Sequence, residues 1–286
     1  MEPKTISLCV LSFNGVEILP QCLESLSKQK GNFNKIITVC DNGSTDGTHK
    51  ILLENFKKCR IIQNKTNQSF TSSFNRMINS VDADYYGIIS NDIVFKNEDS
   101  IQKIINLFNE KKSVGMIAPK SIRPDGVLDN IKKNEYSFWE IFKSFTLVGN
   151  LLKIVGKKKH NSFLNQNISS TSEVLQDSSL FIKKEILNEK FFFDESFKFY
   201  FTEDQISIDC RRKNFELFYT TKIKVNHLHQ HTMNKMKVRS NWYMLKDAMR
   251  YSYIYHNKFL TILVLYPLGL ISFPIKLLYW FLTKKI

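Results

Sequence analysis

The chain has 286 residues, enough for one large α/β domain with a substantial core, or for one domain and a small appendage. An apolar fraction of 43% and a charged fraction of 24% exclude wholesale disorder. The net charge is +14, and residues 222–286 contribute eleven Lys and Arg against one acid, Asp247. This block indicates an anionic partner: nucleic acid, an acidic membrane or a phosphorylated substrate.

The five cysteines are scattered and include no CxxC pair. Cys9 and Cys40 lie inside apolar runs, where a free thiol behaves as a small hydrophobic side chain. The pattern supports neither a disulfide framework nor a zinc site, and a reducing compartment fits it best. No charged-then-apolar leader precedes Ile6, so we expect no secretory signal.

Short apolar runs alternate with segments of helical periodicity. The predicted strands are residues 6–11, 35–40, 61–63, 85–89, 114–119, 179–182 and 215–220. The predicted helices are residues 16–27, one that begins near Asp46, 70–80, 98–111 and 205–213. Such alternation predicts βαβ units and a mostly parallel sheet, because parallel strands need helical crossovers.

Two segments depart from this pattern. Residues 130–172 are basic and aromatic, and we expect a variable loop or an amphipathic excursion there. Residues 259–282 carry one charge, Lys276, and two prolines, Pro267 and Pro274. They are long enough to span a bilayer, but the prolines and the lysine favour two short helices in the membrane interface over a buried hairpin. We therefore predict an α/β domain over residues 1–232 and a basic, apolar, helical membrane-associating region over residues 233–286.

The end of the second predicted strand carries a polar, flexible turn, Asp41-Asn42-Gly43-Ser44-Thr45-Asp46-Gly47-Thr48. Open α/β sheets bind ligands where their strands end. Asp41 could accept a hydrogen bond from a nucleotide base, and Asp46 is placed to cap the next helix. The turn alone is equally consistent with a plain structural turn.

Together with four further sequence blocks in the same order, this turn resembles the motifs of the inverting family 2 glycosyltransferases. Within that family the sequence is most similar to the rhamnosyltransferase-like branch of bacterial surface polysaccharide enzymes. The resemblance implies the GT-A fold. The other blocks are Leu11-Ser12-Phe13-Asn14-Gly15, Asn67-Gln68-Ser69-Phe70 with Asn75, Ser90-Asn91-Asp92-Ile93, and Phe193-Asp194-Glu195-Ser196-Phe197 with Thr202-Glu203-Asp204, Arg211-Arg212 and His227.

The resemblance assigns donor binding to the first two loops. In such enzymes these loops hold the nucleotide base and ribose. The residues carried over are Ser12, Phe13, Asn14, Asp41, Asn42 and Ser44.

The resemblance also implies a divalent cation, Mg²⁺ or Mn²⁺, that bridges the donor diphosphate. Asp92 matches the metal-binding acid and His227 the histidine that can complete the site. His229 and His231 alternate with His227, and we expect them to be surface residues. Ser90 stands where the family has Asp or Asn, which puts the ligand set in question.

By the same resemblance, Asp204 is the general base that deprotonates the acceptor hydroxyl, and Glu203 orients the base or the acceptor. Paired acids before a helix also serve as dipole partners. Ile206 stands where relatives carry a further acid. Asp177 is a weaker candidate for sugar or acceptor binding.

The expected function is therefore metal-dependent transfer of a hexosyl or deoxyhexosyl group with inversion, from a nucleotide-diphosphate sugar to a glycan or lipid-linked acceptor, in cell-surface polysaccharide synthesis. We expect it at the cytoplasmic face of a bacterial inner membrane, with the chain peripheral or monotopic on an anionic surface. The alternative is a catalytically silent homologue that binds sugar nucleotides, or an assembly partner at the membrane. A nucleotidyltransferase would need a Gly-rich phosphate loop that residues 12–16 lack, and nucleic-acid binding is disfavoured because the basic residues interleave with an apolar segment.

Overall fold

A computed structural model describes residues 2–149, 151, 164–187, 192–228 and 237–283. Contacts divide the chain into two compact units. The first comprises Met1–Asn134, Phe163–Glu195 and Thr202–Thr232, and the second comprises Glu135–Ser162, Ser196–Phe201 and Met233–Ile286. The predicted boundary after residue 232 stays a prediction.

The first unit is built on a mixed, mostly parallel sheet. Its strands in chain order, with the small pair β7 and β9 beside the sheet, are β1 (Lys4–Ser12), β2 (Phe33–Asp41), β3 (Arg60–Gln63), β4 (Tyr85–Ser90), β5 (Ile93–Phe95), β6 (Val114–Ile122), β7 (Lys132–Lys133), β8 (Ser170–Ser172), β9 (Val174–Leu175), β10 (Ser179–Lys183) and β11 (Glu216–His227). The order across the described sheet is β3-β2-β1-β4-β10-β6-β11-β5, with β8 also paired to β11. This is the α/β GT-A arrangement that the sequence predicted.

Strand direction decides which loops meet. Strands β1 to β4 are parallel neighbours, and β6 is parallel to β11. Strand β10 runs antiparallel between β4 and β6, so the residues just before it lie at the edge where β4 and β6 end. One edge of the sheet therefore collects the ends of six strands (β1, β2, β3, β4, β6 and β11) and the starts of β10 and β5.

Helices cover both faces of this sheet. Those of the first unit are α1 (Leu19–Ser27), α2 (Thr48–Asn55), α3 (Phe70–Asn79), α4 (Ser100–Glu110) and α6 (Thr202–Arg212). Successive residues of β1 point to opposite faces, and accordingly Leu8 belongs to the apolar cluster that includes α1 and α4. Its neighbour Cys9 belongs to the cluster that includes α3 and α6. All five cysteines are free.

Two predicted features of the first unit differ from the observed ones. The strand predicted over residues 215–220 is longer, Glu216–His227, because β6 and β5 pair with it along its length. Asp46 does not act as the N-cap: that position of α2 is Gly47, while Asp46 accepts from the backbone N–H groups of Thr48 and Val16, each at 3.0 Å.

The second unit is helical. It contains α5 (Phe138–Phe145), α7 (Lys237–Tyr255), α8 (Lys258–Leu260), a π-helix (Thr261–Leu265) and α9 (Tyr266–Thr283). Residues 130–172, predicted as a variable loop or an amphipathic excursion, include β7, β8 and α5. A capping box starts α5: Ser137 Oγ accepts from Glu140 N, and Ser137 N donates to the Glu140 carboxylate.

The prediction of two short helices in the tail is wrong. Helix α8, the π-helix and α9 follow one another without a break from Lys258 to Thr283. Pro267 directly follows the first residue after the π-helix, and Pro274 lies inside α9. Residues 258–276 are apolar and long enough to cross a membrane.

Asp247 on α7 organises a loop of the second unit. Its carboxylate is buried and accepts from the backbone N–H groups of Lys198 at 3.1 Å and of Phe199 and Tyr200 at 3.0 Å. Burial raises the pKa of Asp247 and the three N–H bonds oppose that rise. One side chain thus satisfies three consecutive backbone donors.

Replacing Asp247 by Ala should lower the free energy of unfolding by about 2 kcal/mol or more, because buried donors lose their acceptor. Asp247→Asn keeps one acceptor oxygen and should cost less. Denaturant unfolding of both variants measures this. Equal stability of Asp247→Ala and the unmodified chain would contradict the account.

Candidate active site

The five motif blocks meet at the edge of the sheet described above. Ser12 ends β1, Asp41 ends β2 and Ser90 ends β4, and the register pairs Ser12 with Asp41 and Leu11 with Ser90. His227 is the last residue of β11. The backbone therefore gathers, at one edge, residues more than 200 positions apart in sequence.

Hydrogen bonds join the first two loops to each other. Asn14 N donates to Ser44 Oγ at 2.9 Å, and Asn14 Oδ1 accepts from Thr45 N at 2.8 Å. Asn14 has φ 49, a left-handed conformation that Asn tolerates better than most residues. Phe13 beside it is half-buried, and Asn14 is exposed. These two hydrogen bonds join both loops into one surface.

Asp41 is fully buried at the base of this surface. Its Oδ1 accepts from Ser44 N at 3.0 Å, and its Oδ2 lies 3.2 Å from His49 Nδ1. Sequence reasoning missed His49, which reaches Asp41 from the first turn of α2. The predicted contact of Asp41 with a base stays a prediction.

Asn42 ties the second loop to the third. Its Nδ2 donates to Asn67 Oδ1 at 2.9 Å and to Gln68 O at 3.0 Å, while its Oδ1 accepts from Asn64 Nδ2 at 2.8 Å. Both ends of the Asn42 side-chain amide are thus hydrogen-bonded to other residues of the protein. Gly43 next to it has φ 78, and a Cβ there would lie 2.8 Å from the Thr66 carbonyl carbon, so the close approach requires glycine.

Ser69 stands where the resemblance expects glycine. It is the N-cap of α3, and its Oγ accepts from Ser72 N at 3.3 Å. Serine in place of glycine supplies a preferred helix cap, so α3 has a defined start.

The first loop is also bonded to the fourth block. Ser12 Oγ accepts from Asn91 Nδ2 at 3.1 Å.

Asp92 and His227 are neighbours, as the resemblance implied for a metal site. Asp92 precedes β5, which pairs with the end of β11 in a register that sets Ile93 opposite His227. Asp92 Oδ2 lies 3.3 Å from His227 Nε2. Asp92 does not begin a helix, since a strand follows it. His229 and His231 fall outside the described residues.

Asp129 completes this cluster and was not predicted. Its Oδ2 lies 2.9 Å from His227 Nδ1, and it accepts from Ser121 Oγ at 2.6 Å. Arg123 Nε lies 3.4 Å from its Oδ1. The imidazole of His227 therefore stands between two carboxylates, one on each ring nitrogen.

Asp92 and His227 offer two side chains of the kind that bind divalent cations, but the described residues include no group of three or more His, Cys, Asp or Glu side chains arranged for a metal ion. A carboxylate oxygen and an imidazole nitrogen 3.3 Å apart can bind one ion side by side, and Asp129 orients the ring from its far side, as carboxylates do for metal-binding histidines. Burial lowers the pKa of His227, but the hydrogen bonds to Asp129 and Asp92 outweigh it and raise the pKa to about 9. The two carboxylates thus favour one positive charge between them.

Glu203 and Asp204 begin α6 and share one cation. Asp204 is 1% exposed, and its Oδ2 lies 2.9 Å from Nζ of the buried Lys133. Glu203 Oε1 lies 3.2 Å from the same nitrogen, and the Glu203 side chain is 20% exposed. Sequence reasoning missed Lys133, because nothing near it in sequence indicates an acidic partner.

Asp177 joins these acids through Thr202, whose Oγ1 donates to Asp177 Oδ2 at 3.0 Å. Burial, together with the Glu203 carboxylate, raises the pKa of Asp177 to about 7. The next residue, Ser178, accepts from Ser90 N at 2.9 Å through its carbonyl. The acids of α6 are thereby connected to the end of β4.

The structure explains the apolar residue at position 206. Ile206 is fully buried in the apolar cluster that includes α3, where a carboxylate would be costly. Ser90 ends β4, and its backbone N–H donates to Ser178 O at 2.9 Å. Any residue with a backbone N–H could make this bond, so nothing in the structure explains the serine at this position.

Comparisons with solved structures agree on the fold. The chain superposes with a TM-score of 0.63 and 12% identity on the crystal structure of GalNAc-T7 with UDP, GalNAc and Mn²⁺, covering 88% of this chain and 48% of that one. For S. aureus TarS the TM-score is 0.54 at 12% identity, covering 89% of this chain and 44% of TarS. The 1–349 fragment of TarS gives 0.53 at 12% identity, with 88% and 72% covered. The chain thus spans about half the length of GalNAc-T7 and of TarS.

No curated protein matches the chain. The family model described as glycosyl transferase family 2 matches residues 7–169, a segment that holds the first four blocks and most of the sheet. The chain belongs to glycosyl transferase family 2.

Proposed function

We propose that the protein transfers a sugar from a nucleotide-diphosphate sugar to a hydroxyl of a glycan or lipid-linked acceptor, with inversion at the anomeric carbon. The observation that carries this proposal is the convergence of three groups at one sheet edge: the joined loops of Asn14 and Ser44, the Asp92–His227 pair, and the Glu203–Asp204 pair. They correspond to a nucleoside platform, a diphosphate site and a base.

The loop surface of Asn14 and Ser44 would bind the nucleoside. It is pre-formed by hydrogen bonds within the chain, so little ordering would oppose binding. Asp41 and Asn42 support it from below through their buried contacts with Ser44 N and with residues 64–68. Phe13 and Ser12 border the same surface.

Asp92 and His227 would hold the cation. A mixed carboxylate and imidazole set suits Mn²⁺ better than Mg²⁺, which prefers oxygen ligands. When bound, the cation would neutralise the charge that builds on the departing nucleoside diphosphate. Asp129 would keep the Nε2 atom of His227 turned toward Asp92.

Asp204 would accept the proton of the acceptor hydroxyl as that oxygen attacks the anomeric carbon from the face opposite the diphosphate. The carbon–oxygen bond to the diphosphate breaks as the new glycosidic bond forms, so a single displacement inverts the centre. Glu203, the more exposed acid of the pair, would orient the acceptor together with Asp177. Membership of the rhamnosyltransferase-like branch is part of the proposal.

The second unit would attach the protein to an anionic membrane surface. Large apolar side chains are exposed along its last helical run: Phe259, Ile262, Leu263, Leu270, Ile271, Ile275 and Leu278. Thr261, Leu265 and Ser272 of the same run are buried. One buried side and one exposed apolar side suit a helix that lies in the interface at the cytoplasmic face of a bacterial inner membrane.

The base assignment predicts that Asp204→Asn lowers kcat about 10²- to 10⁴-fold while the donor still binds. Nucleoside diphosphate release from a panel of UDP-, dTDP- and GDP-sugars, with a membrane lipid extract as acceptor, measures turnover. The donor-induced rise in melting temperature measures binding. Asp209→Asn, a half-exposed acid on the same helix, is the matched control.

Full turnover of Asp204→Asn would contradict the base assignment. An unmodified chain that is stabilised by donors but releases no nucleoside diphosphate would support the alternative, a silent binding protein. In both cases the thermal shift reports that the chain is folded.

Asp129→Asn should weaken Mn²⁺ binding about 10- to 100-fold, because the carboxylate that orients His227 is lost. The electron paramagnetic resonance signal of free Mn²⁺ falls when the ion binds. Titration of this signal, with and without UDP, GDP or dTDP, measures the Mn²⁺ affinity directly. Asp125→Asn, on the same loop but exposed, should bind Mn²⁺ as the unmodified chain does. Wild-type Mn²⁺ affinity of Asp129→Asn would overturn its assigned role.

Replacing Phe259, Leu263 and Ile271 by Ser should lower partitioning onto phosphatidylglycerol vesicles by about tenfold or more, since each loses its buried apolar area in the interface. Vesicle co-sedimentation at low and high salt measures this. The control replaces Leu53 and Val127, exposed apolar residues of the first unit. A triple variant that sediments like the unmodified chain would contradict membrane attachment by this helix.

A further inference from the structure

Lys133 is a buried lysine whose partners are the two acids of the proposed catalytic pair. Its side chain is 4% exposed, and Nζ lies 2.9 Å from Asp204 Oδ2 and 3.2 Å from Glu203 Oε1. It belongs to the two-residue strand β7, which is hydrogen-bonded to β9 with Lys133 opposite Val174. The Lys133 carbonyl also accepts from Ser172 Oγ at 3.1 Å. The ammonium is therefore held by an element independent of α6.

The charges of this cluster explain why a cation is needed there. Three carboxylates belong to this cluster. Asp204 and Glu203 of α6 both contact Lys133 Nζ, and the Glu203 charge acts on Asp177 in the loop before β10. Neighbouring carboxylates resist simultaneous ionisation, and a buried carboxylate without a cation is strongly disfavoured. Lys133, from β7, supplies a positive charge to two of the three.

The state of Asp177 is consistent with this balance. Burial and the Glu203 carboxylate raise the pKa of Asp177 to about 7, although Thr202 and Lys133 act in the opposite direction. The Glu203 charge thus disfavours a further negative charge on Asp177. The acid that Lys133 contacts most closely is Asp204.

We propose that Lys133 is a positioning residue for the transfer reaction. Its ammonium holds Glu203 and Asp204 in one arrangement and keeps Asp204 ionised, so that Asp204 can accept the proton of the acceptor hydroxyl. The role rests on the proposed function, because it acts through Asp204.

Lys132, the preceding residue, provides a matched comparison. It is also buried, but it donates to Ile168 O at 2.8 Å and to Ser170 Oγ at 2.7 Å, and its Nζ lies 5.2 Å from the centre of the Tyr219 ring. Burial lowers the pKa of Lys132. Adjacent residues of a strand point to opposite sides, so Lys132 shares the strand and the burial of Lys133 without its acids.

The test compares Lys133→Met, Lys133→Arg and Lys132→Met in the full chain, using the donor with the fastest wild-type release of nucleoside diphosphate. Without the cation the pKa of Asp204 rises, and a base works only when deprotonated. In Lys133→Met the acid limb of the plot of kcat against pH should therefore move to higher pH by about 1–3 units. At pH 7, kcat should be about tenfold lower or more, and the KM for the donor should be unchanged. Lys133→Arg keeps the charge and should keep the acid limb in place.

A second readout needs no turnover. In Lys133→Met the buried carboxylates have folded-state pKa values above their unfolded ones, so stability is present at low pH and is lost as pH rises. The melting temperature should fall further below that of the unmodified chain at pH 8 than at pH 5. For Lys132→Met the deficit should be the same at both pH values.

Three results would overturn the proposal. The first is a wild-type pH profile in Lys133→Met. The second is a Lys132→Met profile shifted equally. The third is a melting deficit of Lys133→Met that does not change with pH. If the unmodified chain releases no nucleoside diphosphate while the melting pattern of Lys133→Met is as expected, the charge pairing is right and the proposed function is wrong.

Discussion

Buried carboxylates at one edge of the sheet must each face a donor or a cation, because an uncompensated charge away from water is costly. Asp41 is held by Ser44 N and lies beside His49. Asp92 and Asp129 flank His227. Asp204 faces Lys133. The arrangement of the candidate site follows from satisfying these acids with groups from other elements.

This constraint gives the site its rigidity. The partners of each acid come from separate strands, helices and loops, so the loops at the edge are tied to one another. Asn42 bonds the second loop to the third, and Ser12 bonds the first loop to Asn91. A donor would meet groups that are already placed, which favours binding and orientation over rearrangement.

Much of the fold was predictable from sequence because strand and helix periodicities are local. The strands that carry Asp41 and Ser90 were predicted within a few residues, and the GT-A arrangement is confirmed. The continuity of β11 was missed, since it depends on pairing with β5 and β6. The unbroken last helix was missed because Pro267 and Pro274 favour helix ends in sequence, whereas the helical run continues through both of them.

The predicted site residues were found by their order along the chain, and the structure places Asp92 beside His227 and Glu203 beside Asp204. Their partners could not be found that way. Asp129 lies 98 residues from His227, and Lys133 lies 71 residues from Asp204. A lysine in a two-residue strand and an aspartate in a loop have no local signature. Only the folded chain identifies the charges that they balance.

We propose a single displacement from a nucleotide sugar at this edge of the sheet. Proton magnetic resonance of the glycosylated product that the unmodified chain forms from its best donor, Mn²⁺ and acceptor extract, recorded after the Mn²⁺ has been removed, reports the configuration of the new glycosidic bond. A single displacement gives an anomeric configuration opposite to that of the donor. A product that retains the donor configuration would contradict the proposal.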